Sequence, residues 1–176
     1  GEQIISEFSH VNDTACVLLR YFNPAGAHPS ALIGELPIDK PQNLVPVITQ
    51  SAIGKLPGIT VFGNHYPTRD GSCVRDFIHV SDLAHAHTLA LQYLMAHKNT
   101  ANPEVFNLGT GTGITVLETL QTFEKVTGIP LHYSIGDNRP GDVVAIYANN
   151  DKARQQLGWQ PEFTLEDILS TAWKWE

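Results

Sequence analysis

The stretch Ala15-Cys16-Val17-Leu18-Leu19-Arg20-Tyr21-Phe22-Asn23-Pro24-Ala25-Gly26 decides the fold class. An apolar run with β-branched and aromatic residues, closed by Asn-Pro-Ala-Gly, is the pattern of a buried parallel strand running into a loop. Ligands of open α/β sheets gather beyond the carboxyl ends of such strands, which would put Tyr21, Phe22 and Asn23 at a binding crevice. A plain core strand followed by a turn fits the same residues.

Working outward, Glu2-Gln3-Ile4-Ile5-Ser6-Glu7-Phe8 reads as the end of an amphipathic helix whose beginning is absent, and the first residue is Gly1 rather than Met. The expectation is a truncated chain. Downstream, Gly26 to Gln42 is rich in Pro, Gly and small polar residues, a long loop of functional or mobile type. Leu44, Val47, Ile48 and Ser51-Ala52 follow helical spacing, with Asn43 as cap candidate and Gly54 as terminator. Ile59-Thr60-Val61-Phe62 predicts a strand entering a dense cluster of turn formers from Gly63 to Gly71.

Val74-Arg75-Asp76-Phe77-Ile78-His79-Val80 alternates like a half-buried strand, with Arg75 and Phe77 on one face. Ser81 is the predicted cap of a helix over residues 82–97, whose apolar stripe is Leu83, Ala86, Ala90, Leu91 and Leu94. Val105 to Leu108 predicts a short buried strand, and Gly109-Thr110-Gly111-Thr112-Gly113 leads from it into a helix over 116–126. Two more capped helices are predicted, Asp151 to Leu157 closed by Gly158 and Leu165 to Lys174 opened by Thr164.

The Gly-rich turn suggests a dinucleotide cradle, but the spacing refuses it: a glycine or alanine is required where Ile114 stands, and tight strand-to-helix packing explains the glycines instead. His85 and His87 lie two apart on a helix and point to opposite faces, so no metal site is expected. Cys16 and Cys73 suggest free thiols in a cytoplasmic protein, and no pattern supports nucleophilic catalysis. Eleven Lys+Arg against eighteen Asp+Glu leave a formal charge of −7, which argues against nucleic acid and anionic membranes as partners. A small anionic ligand would then need local arginines. Arg75-Asp76 and Arg139-Pro140-Gly141-Asp142 are the candidates, because guanidinium holds phosphate oxygens while a carboxylate such as that of Asp142 accepts from sugar hydroxyls. Two inter-element or surface ion pairs fit the same residues.

These segments, in this order, resemble the UDP-glucose 4-epimerases of the extended short-chain dehydrogenase/reductase family. The resemblance rests on Leu18 to Ser30, on Gly63-Asn64-His65-Tyr66-Pro67-Thr68-Arg69-Asp70-Gly71, on Val74 to Ala84, on Phe106 to Gly111 and on Arg139 to Asp142. It implies an α/β fold: the C-terminal part of a Rossmann-type parallel sheet plus a small α/β substrate-binding domain. Residues 1–26 would end the dinucleotide domain and 27–176 would form the substrate domain, with a segment of about 77–110 returning to the sheet. The resemblance also implies that Tyr21 lies near the nicotinamide of NAD and Phe22 and Asn23 beside the sugar diphosphate. Asn43 and Leu44 would flank diphosphate and uracil, and Thr60, Val61 and Phe62 would border the uridine. Arg75 would hold phosphate, and Arg139 with Asp142 would hold phosphate and ribose. Gln42 departs from the asparagine common at its position. Ile146 matches a wall position of variable bulk, so N-acetylated UDP-hexoses join UDP-glucose and UDP-galactose as expected substrates.

Family chemistry, as implied, is oxidation at the sugar C4 by NAD, rotation of the keto intermediate and hydride return, within a parent that is a homodimer. The general-base tyrosine with a lysine four positions later is not in this sequence. It would fall a few residues before Gly1, together with the missing dinucleotide half, so the chain alone is expected to be inactive. A UDP-sugar dehydratase or decarboxylase, or a non-catalytic binding module, would share the arginines.

Overall fold

A computed structural model describes residues 1–176. The chain is mixed α/β, as the apolar run at Ala15 and the Gly-rich turn imply, with eight short strands and five α-helices in the order α1 (Glu2–Val11), β1 (Val17–Tyr21), β2 (Asn23–Ala25), α2 (Leu44–Ala52), β3 (Ile59–Phe62), β4 (Val74–Arg75), β5 (Phe77–His79), α3 (Val80–Met95), β6 (Glu104–Leu108), β7 (Ile114–Thr115), α4 (Val116–Thr127), β8 (Tyr133–Gly136) and α5 (Leu165–Trp175). Parallel pairing dominates: β1 with β6, β2 with β5 and β3 with β8. Only β4 and β7 run antiparallel.

β1 is less buried than its composition implies, because it hydrogen-bonds to β6 alone and its other edge meets no strand. The stretch Val74 to Val80 is not one alternating strand either. It breaks at Asp76 into β4 and β5, which pair with different partners, so Arg75 and Phe77 belong to two different strand pairs. Within β5, Phe77 feeds one core with Val45, Ile48, Val61, Phe123 and Leu169, while Ile78 feeds a second with Phe106, Leu108 and Trp159. Successive residues of a strand point to opposite sides, so this short element stitches two cores together.

Helix caps show where local sequence rules hold. Thr115 with Glu118, and Thr164 with Asp167, form reciprocal capping boxes at the starts of α4 and α5. At α3 the cap is His79 rather than Ser81: its Nδ1 accepts from the Ser81 amide at 3.0 Å. The buried face of α3 carries Asp82, Ala86, Ala90 and Tyr93, whereas the predicted stripe residue Leu91 is exposed. Tyr93 takes that place by packing edge-on against Phe106. Asn43 precedes α2 without a side-chain cap bond, and its side-chain NH2 donates to Glu35 instead. The predicted helix over 151–157 is largely a π-helical segment, Ala153–Leu157, closed by Gly158 at φ 68°.

Candidate nucleotide-sugar site

The site is built around the segment in which β4 gives way to β5. Asp76, fully buried, accepts from the Thr110 amide (2.8 Å) and hydroxyl (2.6 Å), the Gly111 amide (3.0 Å) and the Ala148 amide (2.9 Å). Its carbonyl accepts from the Asn23 amide at 3.0 Å. The carboxylate thereby ties the Gly-rich turn to the segment after Asp142, and the carbonyl of the same residue adds the start of β2. A Cβ on Gly109 would lie 2.5 Å from the Asp76 carboxylate, which is why glycine stands there. The turn's amides face this internal anion, so the Gly-rich turn does not fit a dinucleotide pyrophosphate. Sequence reasoning rejected that turn on its spacing and named Asp76 only as the neighbour of Arg75, without foreseeing that its carboxylate would be the partner of the turn's amides.

Arg75, immediately before it, points the other way. Its Nη1 donates to the carbonyls of Val74 (2.8 Å) and Val143 (2.7 Å), and its Nη2 lies 3.5 Å from the Asp142 carboxylate, both side chains about four-fifths covered. The arginine therefore pairs with the aspartate of the distant Arg139–Asp142 segment and not with its sequence neighbour. Arg139 in turn lays its guanidinium over the Phe62 ring at 4.1 Å. A cation over an aromatic face is favourable by about 0.5–1 kcal/mol at an exposed site.

β3 and β8 position this second pair. Ile59 and Val61 point into the core, and Thr60 and Phe62 point out, Val61 being 1% and Phe62 38% exposed. Val61 thus offers a ligand its backbone at most. The ladder continues through the Gly63 amide to the Gly136 carbonyl at 3.0 Å, with Asn138 and Tyr66 closing over Gly63. Burial raises the Tyr66 phenol above its usual pKa, with Cys73 and Asp142 adding to the effect and Arg75 opposing it. Tyr66 is thereby a neighbour of the Arg75–Asp142 pair that its turn-former surroundings had concealed.

The remaining predicted residues fall in two places. Tyr21, Phe22 and Asn23 lie at the carboxyl end of β1, where the Phe22 amide donates to Leu108 and the half-exposed Tyr21 ring is 5.8 Å from that of His87. Ile146 is exposed, and its amide donates to the Val74 carbonyl at 3.2 Å, beside Arg75. Gln42, Asn43 and Leu44 form the entry to α2, with Gln42 and Asn43 exposed. No group of three His, Cys, Asp or Glu side chains is placed to hold a metal ion. No helix is long and apolar enough to cross a membrane. Two guanidiniums, a partly exposed ring and a largely covered carboxylate suit an anion, a flat heterocycle and a hydroxyl group.

The family model described as GDP-mannose 4,6 dehydratase matches residues 1–172. The chain belongs to the NAD-dependent epimerase/dehydratase family. Within that family it is a homologue of the UDP-glucose 4-epimerases: it is 47% identical to the enzyme of Bacillus subtilis across 99% of this chain and 51% of that protein. The solved UDP-glucose 4-epimerase of Stenotrophomonas maltophila, which holds NAD and formylated UDP-arabinopyranose, superposes with a TM-score of 0.94 at 46% identity, over 99% of this chain and 51% of its own. The UDP-Glc/GlcNAc 4-epimerase of Campylobacter jejuni matches at a TM-score of 0.79 and 35% identity, over 99% of this chain and 52% of its own. The chain thus spans about half the length of the epimerases it matches. Fold and family placement both agree with the resemblance drawn from the motifs.

Proposed function

We propose that these residues are the C-terminal, UDP-sugar-binding half of a cytoplasmic, homodimeric, NAD-dependent UDP-glucose 4-epimerase. The observation that carries this is the pairing of Arg139 with Phe62 and of Arg75 with Asp142, which draws segments more than sixty residues apart into one recognition surface. In this reading Phe62 and Thr60 border the uracil, Arg139 and Arg75 take the diphosphate and Asp142 takes a ribose hydroxyl. Arg75 exchanges its ion pair for phosphate, which offers guanidinium a two-point contact. Phe22, Asn23, Gln42, Asn43 and Leu44 line the sugar-diphosphate path. Residues 1–26 close the dinucleotide domain, and 27–176 form the substrate domain with the 77–110 segment returning to the sheet.

NAD supplies hydride transfer in the parent enzyme, and the one residue here assigned to its neighbourhood is Tyr21. The 176 residues contain no tyrosine followed four positions later by a lysine, so the chain by itself is proposed to bind but not to turn over its ligand. Ile146, exposed beside Arg75, leaves room for an N-acetyl group, and epimerisation of UDP-N-acetylglucosamine by the parent is part of the proposal. A parent enzyme inert toward that substrate removes it.

The test is calorimetric titration of the chain with UDP and, separately, with NAD. UDP is expected to bind and NAD is not. Arg75→Met and Arg139→Ala should each weaken UDP by about tenfold or more, since each removes hydrogen bonds to a charged partner. UDP affinity unchanged in both variants, with thermal melts showing both folded, would overturn the reading.

A further inference from the structure

The loop between β2 and α2 is held by the last turn of α5, far along the chain. The indole Nε1 of Trp175 donates to the Glu35 carbonyl at 3.0 Å. The ring lies so close to Gly34 that a Cβ there would come within 2.5 Å of three of its atoms. Lys174 Nζ donates to the Pro29 carbonyl at 3.0 Å, a second fastening of the same loop. From Glu35 the connection continues: its Oε1 accepts from Asn43 Nδ2 at 2.8 Å. Asn43 is the residue from which α2 starts, and its side chain makes no cap bond to the helix. Glu176 completes the arrangement by accepting from Thr49 (3.0 Å) and Lys55 (2.8 Å), so α2 itself is tied to the same end of α5.

We infer that Trp175 is a positioning residue that, through Glu35, sets the side-chain orientation of Asn43 at the entrance of α2 and thereby the affinity for a nucleoside diphosphate. The inference rests on the placement of Asn43 beside the diphosphate proposed above. Its physical content is an entropy argument. The loop carries exposed Leu32, Ile33, Leu36 and Ile38, none of which anchors it, so its order comes from a few hydrogen bonds to α5. An amide released from Glu35 samples several rotamers, and a ligand must then order it on binding, which weakens affinity without removing a contact.

Three variants separate the possibilities. Trp175→Phe keeps a ring against Gly34 and removes the indole donor, Glu35→Ala removes the acceptor for Asn43, and Glu35→Gln keeps a carbonyl acceptor there. Hydrogen exchange on the 176-residue chain is expected to show faster exchange of the amides of residues 34–45 in Trp175→Phe and Glu35→Ala, with the melting midpoint within the error of the unmodified chain. Exchange should return to normal in Glu35→Gln. UDP titration is expected to show about three- to tenfold weaker binding in the first two variants, the double variant no weaker than either single one, and recovery in Glu35→Gln. Unchanged exchange over 34–45 overturns the inference whether or not UDP binds. Faster exchange with unchanged UDP affinity overturns its ligand half. Failure of the unmodified chain to bind UDP counts against the proposed function alone, since the exchange measurement still decides the relay.

Discussion

Asp76 and His79, two side chains of one short segment, illustrate how single buried polar residues set conditions on the whole site. Asp76 satisfies three backbone amides and a hydroxyl that no water can reach easily, and loss of its carboxylate leaves those donors stranded. Asp76→Ala is expected to destabilise the chain by about 3 kcal/mol or more, at the upper end of the penalty for orphaned buried groups. A denaturant melt checks it, and a change under 1 kcal/mol would show that the amides find other partners at about the worth of one ordinary hydrogen bond. His79 is neutral for a visible reason. Its Nδ1 accepts from Ser81, its Nε2 faces the Thr171 hydroxyl at 3.1 Å, and its ring stacks on Phe163 with centroids 4.1 Å apart. Burial holds its pKa below the ordinary value, against the pull of Asp82 and Asp167 and with a smaller push from His28. In the window from about 6.5 downward the unfolded chain therefore binds more protons than the folded one, and stability falls as pH falls. Glu118 and Asp167 act lower. Hydrogen bonds from Arg69 to Glu118 and from Thr164 to Asp167 keep these carboxyls below their usual range, so their stabilisation is present above about pH 4 and is lost as pH drops through the folded values. Melting midpoints from pH 8 to 3 should descend in two stages, and His79→Asn, which retains a capping oxygen, should flatten the first stage alone.

At the scale of elements, α5 carries more of the architecture than its length suggests. It packs on α2 and α4, contributes Ile168, Leu169 and Ala172 to the larger core, and sends Trp175 to the loop before α2. Its start depends on the Thr164–Asp167 capping box, in which Thr164 Oγ1 accepts from the Asp167 amide at 3.2 Å and the Asp167 carboxylate accepts from the Thr164 amide at 2.8 Å. Thr164→Ala is expected to cost about 1 kcal/mol, the ordinary worth of an N-cap, read as a lower denaturation midpoint. β6 begins with a comparable device. Glu104 is buried, and although burial by itself disfavours its charge, Lys152 and the amides of Thr100 and Ala101 hold its carboxyl below the usual range. Lys152→Met removes the one cation facing it and should lower stability by about 1–3 kcal/mol. Equal stability of the two proteins in urea would mean the amides alone suffice.

For the whole molecule, the open edge of β1 and the apolar residues Ile4, Phe8 and Val11 on α1 together present unpaired backbone and greasy surface. Such edges invite pairing with other chains. The chain is expected to self-associate as its concentration rises, and light scattering that stays at the monomer mass across a hundredfold dilution range would contradict this. How much of the molecule the sequence carries depends on the range of the forces involved. Helix starts at Thr164, the strand at Ile59 and the turn glycines were legible because caps, side-chain alternation and backbone sterics act within a few residues. The motifs around Arg75 and Arg139 were legible as chemistry. That Arg75 faces Asp142 rather than Asp76, that Arg139 covers Phe62, and that His79 rather than Ser81 caps α3 were not, because each depends on elements brought together across the chain. The sequence by itself determined the α/β class, the family and the residue types proposed to hold a nucleotide sugar. Tertiary structure alone decided which charges meet and which are buried, since Coulomb and hydrogen-bond partners are chosen by distance in space and not by separation along the chain.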